Sequence, residues 1–246
     1  MTLGVDSRRT EVTSLPSSRL PRSREPLAAG AGAGELRPRL RGWIHVGAVP
    51  LALAGLFILW GQANGVGVSP LPAAVFGLCL LGLYVTSSLY HVPRWGARTR
   101  HVLSRCDVAM IQFLIAGTFT PIAFHALRGN WRSWSLAAAW AIAVGGAAIA
   151  ASPLRAPRWI STLGYVAVGW LTVVPFVRIM QALPWQGNSL IILGGVLYTV
   201  GAVVYASRRP DPFPRWFGYH EVFHVLVVAA STAHYLAIWR YVLPLG

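Results

Sequence analysis

The chain has 246 residues, of which 55% are hydrophobic and only 11% charged, with eleven tryptophans and a mean hydropathy of +0.54. That balance excludes an ordinary soluble globular domain and points to an integral membrane protein. A formal net charge of +14, carried by 21 arginines and no lysine, would mark a soluble chain as a nucleic-acid binder. Here the arginines interrupt apolar runs, so they are read as topology signals and no nucleic-acid partner is expected.

Residues 1–41 are rich in Ser, Arg, Pro, Gly and Ala without periodicity and read as a disordered tail. A cleaved secretory signal would need an apolar core before its cleavage site, and nothing of that kind precedes Trp43. Seven apolar stretches then follow: Trp43–Trp60, Leu71–Tyr90, Val108–Phe124, Leu136–Ala151, Trp159–Met180, Ser189–Ala206 and Val222 to about Tyr241. Each is near the roughly 20 residues that a helix needs to cross a bilayer, the third and fourth being the shortest. Trp60, Trp131, Trp134, Trp159, Trp185, Trp216 and Trp239 fall near the span ends, as in aromatic belts. The expected fold is therefore all-α, a seven-helix transmembrane bundle over residues 42–246. Gly145-Gly146 and Gly194-Gly195 offer small faces for close helix packing, within one chain or between chains. Cys79 and Cys106 make no disulfide framework.

Arginine placement orients the bundle. On the tail's side lie the tail's own arginines, Arg94, Arg98, Arg100 and Arg105, then Arg155 and Arg158, then Arg208, Arg209 and Arg215. The opposite side holds only Arg128, Arg132, Arg178 and Arg240. The positive-inside rule puts the N-terminus in the cytoplasm and, with seven spans, the C-terminus outside. The exclusive use of Arg suggests a GC-rich genome, hence a bacterial plasma membrane.

Orientation gathers chemistry at one depth. Gly218-Tyr219-His220-Glu221-Val222-Phe223-His224 opens the last span with two histidines four residues apart on one helix face, close enough to hold one metal ion. Ser87 and His91 lie at the cytoplasmic end of span two, a turn apart on one face, and Asp107 begins span three on that same side. Three imidazoles with an open fourth position form the ligand set of a catalytic zinc. In that reading His91, His220 and His224 are the ligands, Asp107 holds the metal-bound water, and Ser87 bonds it or a substrate oxygen. His234 lies about 15 Å beyond His224 along the helix and is left out of the first shell. His45, His101 and His125 read as amphipathic side chains at the membrane interface.

His220-Glu221-Val222-Phe223-His224 also spells the H-E-x-x-H of zinc proteases, with Glu221 as general base. The simpler reading of Glu221 is an acid in the first turn of a helix, favoured by the dipole and able to pair with an arginine such as Arg215. A third possibility is non-enzymatic, a receptor or sensor in which a metal only ties spans two, three and seven together.

Ser87-Ser88-Leu89-Tyr90-His91, Arg105-Cys106-Asp107, Ala116-Gly117-Thr118-Phe119-Thr120-Pro121 and Gly218–His224 together resemble the haemolysin III family, the bacterial branch of the progestin and adipoQ receptor proteins that include the adiponectin receptors. The resemblance covers about residues 40–240. It implies seven helices, a cytoplasmic N-terminus and a zinc near the inner leaflet held by His91, His220 and His224, with Asp107 as the water-holding carboxylate and Ser87 as the nearby hydroxyl. Trp43-Ile44-His45 departs from the longer family form, which carries Asn-x-x-Thr-His before the first helix. The receptor branch resembles lipid amide hydrolases of the ceramidase kind, and bacterial members are described as haemolysins or as proteins of membrane lipid and energy balance. The implied partners are membrane lipids, among them an acyl-chain substrate.

Topology is directly testable. Reporter fusions should place residues near Gly96, Pro157 and Pro212 in the cytoplasm, and residues near Gly129, Gln186 and the C-terminus outside. A cytoplasmic C-terminus would mean that one span is miscounted.

Overall fold

Hydrocarbon offers backbone N–H and C=O groups no water, so an apolar run crossing it must satisfy them internally, as a helix does. The computed structural model describes residues 38–152 and 175–246, and all regular elements among them are helical. They are α1 (Trp43–Gly65), α2 (Leu71–His91), α3 (Ala97–Ala126), α4 (Gly129–Ala151), the short α5 (Phe176–Ala182), α6 (Trp185–Ser207) and α7 (Tyr219–Ala237). A π-helical turn over Ile238–Val242 and a 3-10 turn over Leu243–Leu245 extend α7. Among the described residues, six helices are long and apolar enough to cross a membrane: α1, α2, α3, α4, α6 and α7 with its extension. The protein is thus a multi-pass membrane protein. Most of the expected fifth span, Trp159–Met180, lies outside the described residues, as do Arg155 and Arg158; its end forms α5.

The third span is the main departure from the sequence reading. It was expected to be among the shortest, yet α3 is the longest helix at 30 residues and starts at Ala97, well before Val108. Hydropathy registers only the apolar part, whereas Arg98, Arg100 and Arg105 are good helix formers that carry the same helix on past it. Asp107 consequently sits about three turns inside α3 rather than at its start. Helix α4 likewise begins at Gly129, ahead of Leu136.

Sequential helices pack as neighbours, α1 on α2, α2 on α3, α3 on α4 and α6 on α7, while α1 also meets α7. Small residues make these approaches possible. The buried stripe of α1 runs His45, Ala48, Ala52, Gly55, Leu59 and Ala63, at helical spacing. Gly55 lies against the Tyr235 ring, and the Tyr235 hydroxyl donates to the Gly55 carbonyl at 3.1 Å. Gly146 and Gly194 face Gln112 and His234 of the same chain, while Gly145 and Gly195 meet nothing within 4 Å among the described residues. Leu51, Phe57, Leu78, Val144 and Val203 point outward, as lipid-facing residues do. Of the expected belt residues, Trp60, Trp131, Trp134, Trp185 and Trp216 are exposed near helix ends and Trp239 is half-buried, while Trp159 lies outside the described residues.

One backbone position couples the start of α1 to the end of α2. Gly42 precedes α1 at φ +87°, and a Cβ there would lie 2.6 Å from the Cβ of His91. Gly42→Ala should cost about 1–2 kcal/mol from the left-handed backbone alone, with the collision added. A lower thermal unfolding midpoint in detergent is expected; an unchanged midpoint would contradict this account of the α1–α2 contact.

Candidate metal centre

The convergence expected from depth is present at the end of the bundle where α1 begins. His91 is the last residue of α2, and His220 and His224 occupy the first two turns of α7. Their ring centroids are 4.6 Å (His91–His220), 5.3 Å (His91–His224) and 4.4 Å (His220–His224) apart. One nitrogen from each comes within 4.8 Å of the others, and no other group among the described residues is so placed for a metal. All three rings are buried, at 5%, 6% and 2% exposure respectively, so these nitrogens have little access to water.

Atom positions sharpen the picture. Nε2 of His91 lies 3.2 Å from Nε2 of His220 and 3.6 Å from Oδ2 of Asp107, so two potential donors and a carboxylate meet at one ring edge. Two nitrogens bound tetrahedrally at about 2.0–2.1 Å from a common ion would stand about 3.3 Å apart, close to the distance seen. Asp107 retains 19% side-chain exposure, so its carboxylate lies between the buried cluster and the outside. Ser87, one turn before His91 on the same helix, is buried. An Arg41 nitrogen approaches Nδ1 of His220 at 3.5 Å. His224 has a buried Nδ1 with no hydrogen-bond partner. The donor set and spacing fit a metal ion.

The start of α7 explains why its histidines are so placed. The Gly218 N–H donates to Oε2 of Glu221 at 2.8 Å, and the Tyr219 N–H donates to Oδ1 of Asp211 at 3.0 Å. Two carboxylates thus satisfy donors at the positive end of the helix. Glu221 is fully buried and makes no ion pair among the described residues, so the first-turn role holds but the pairing with Arg215 does not. Residues of the expected tail help too: the Arg39 and Leu40 N–H groups donate to the carbonyls of Arg215 and Trp216, and the Arg39 guanidinium stacks over Trp216 at 4.3 Å. The chain just before α1 is therefore strapped to the chain just before α7.

The family model described as Haemolysin-III related matches residues 34–235. The chain belongs to the haemolysin III family. It is 32% identical over 201 residues to Hemolysin-3 of Bacillus cereus, covering 81% of this chain and 88% of that one. Against the Hemolysin-3 homolog of Bacillus subtilis (strain 168), identity is 31% over 167 residues, covering 68% and 75%. A plant relative, Heptahelical transmembrane protein ADIPOR2 of Oryza sativa subsp. japonica, is 28% identical over 201 residues, covering 72% and 86%.

The remaining histidines of this haemolysin III family member divide clearly. His101 is exposed. His125 is buried in the last turn of α3, at the opposite end of the bundle. His234 packs against Gly194 with Nε2 3.1 Å from the Ile191 carbonyl, away from the cluster as expected. His45 is the residue that sequence reasoning missed: instead of an interfacial side chain bonded to a neighbour, it is buried against His224. Its place at the head of the Ala48, Ala52, Gly55 stripe, at the same end as His91, is the signal that could have found it.

Bound metal tests the cluster. His91→Ala, His220→Ala and His224→Ala should each drop divalent metal well below one per chain by elemental analysis, while His101→Ala and His234→Ala leave it nearly full. Stoichiometric metal retained in His91→Ala would sink the assignment.

Proposed function

We propose that this haemolysin III protein is a zinc-dependent hydrolase of a lipid amide or ester bond, serving membrane lipid balance in the bacterial plasma membrane with its site toward the cytoplasm. The observation that carries the reading is a single ring edge, Nε2 of His91, met by Nε2 of His220 at 3.2 Å and by a carboxylate oxygen of Asp107 at 3.6 Å. Three imidazole donors suit zinc better than the hard cations magnesium or calcium, which take oxygen ligands. Zinc, when bound, supplies Lewis acidity and lowers the pKa of a coordinated water toward about 7.

The chain's own residues supply the rest. Asp107 is placed to accept a proton at Oδ2 and to hand it to a leaving amine or alcohol, since its carboxylate touches the cluster yet keeps some exposure. Ser87 is a buried hydroxyl a turn from His91, suited to hold a substrate oxygen. The apolar outer faces of α1, α2, α4 and α6 adjoin lipid, so an acyl chain can arrive sideways while its polar linkage reaches the histidine end. Against the protease alternative, Oε2 of Glu221 is engaged by the Gly218 N–H and the side chain is fully buried, which leaves it badly placed as a general base. A receptor or sensor in which zinc only ties α2, α3 and α7 together is favoured by one feature, the burial of all three rings.

Paired mutants separate these readings. Asp107→Asn should keep most of the zinc yet lose function, because an amide cannot take the proton, whereas Glu221→Gln should be mild. Complementation of a deletion phenotype, lipid analysis and zinc content on the same preparations provide the readouts. The protease reading reverses the order of the two mutants. The sensor reading predicts that both work wherever zinc and fold are retained. A dead Glu221→Gln beside a working Asp107→Asn would overturn the lipid-hydrolase proposal.

A further inference from the structure

Helix α1 supplies none of the three expected ligands, yet it sends a fourth imidazole into the cluster. The His45 ring lies flat on that of His224, with centroids 4.0 Å apart and planes within 5°. Tyr84 of α2 contacts the same ring at 5.0 Å and 39°. His45 is only 2% exposed, and neither of its nitrogens has a hydrogen-bond partner among the described residues. Its position is therefore held by ring contacts and by the α1 stripe that it heads, with no contribution from hydrogen bonding.

The stack also limits what His45 can be. Lone pairs of imidazoles lie in the ring plane, so two parallel rings direct theirs along parallel planes and do not converge on one ion. His45 accordingly stands outside the group of three whose nitrogens approach within 4.8 Å. A ligating imidazole must be held in a fixed plane to aim its nitrogen at the ion. The His45 ring covers one face of His224, whose Nδ1 has no hydrogen-bond partner among the described residues.

We propose that His45 is a positioning residue of the metal centre, which by stacking on His224 sets the plane of that imidazole. The inference rests on the reading of His91, His220 and His224 as metal ligands. Through it, α1 is coupled to a site whose donors all come from α2 and α7.

The test uses the full chain in detergent, stripped of metal and titrated with Co²⁺, whose d–d absorption reports both affinity and coordination geometry. His45→Ala and His45→Gln remove the ring face and should weaken Co²⁺ binding by about 10–100-fold, the range typical of supporting residues around a metal, with an altered band shape. His45→Phe keeps a ring face without nitrogens and should bind close to wild type. Unfolding midpoints of the metal-free forms identify any variant that fails to fold, and the Gln and Phe pair then carries the comparison. Wild-type affinity in His45→Ala or His45→Gln overturns the proposal. A loss in His45→Phe as large as in His45→Ala also overturns it, by showing that a nitrogen rather than the face is used. If the wild-type chain takes up no Co²⁺, the ligand reading fails and this inference falls with it; if wild type binds and His91→Ala does not, the ligand reading stands whatever the His45 variants do.

Discussion

An imidazole nitrogen buried in an apolar bundle has no water to turn to, and each unmatched polar atom there costs about 1–3 kcal/mol. Four such rings, from α1, α2 and α7, are crowded into one end of this molecule together with a carboxylate from α3. Three of them bring one nitrogen each within 4.8 Å of the others, an arrangement that a metal ion would stabilise. Much of the local structure can be understood as what is needed to hold that convergence in place.

The supports are polar where the chain leaves the bundle and apolar within it. Asp211 and Glu221 satisfy donors at the start of α7, so the helix begins where its second and sixth residues, His220 and His224, face inward. Gly42 lets the chain entering α1 pass against His91, and the pairing of Arg39 and Leu40 with Arg215 and Trp216 draws that chain toward α7. Inside, Ala and Gly stripes bring the helix axes close enough for side chains from different helices to touch. Glu221 shows how one motif serves two readings. Its spacing spells a protease signature, but its carboxylate is used to cap a helix.

Membership of the haemolysin III family, from the family match over residues 34–235, does not by itself choose between the catalytic and the sensor reading. What favours chemistry over a purely structural tie is Asp107. A staple needs only buried donors, whereas a carboxylate beside them with partial exposure is able to exchange protons with the outside.

Sequence alone determined the class of protein, the positions of most spans, and the set of residues gathered at one end. Apolar runs of bilayer length must be helices in lipid, and the fixed rise of a helix then places His91, His220, His224 and Asp107 at one depth. Depth says nothing about rotation about the helix axis. A lipid-facing helix is apolar nearly all round, so hydrophobic periodicity carries little information on which face turns inward. For that reason the stack of His45 on His224 and the contact of Gly42 with His91 became visible only in the tertiary structure. The start of α3 at Ala97 was hidden for another reason, since charged helix formers carry that helix beyond its apolar run. The same limit on rotation applies to Glu221: its carboxylate points at the backbone N–H of Gly218, a direction that sequence spacing cannot place in three dimensions.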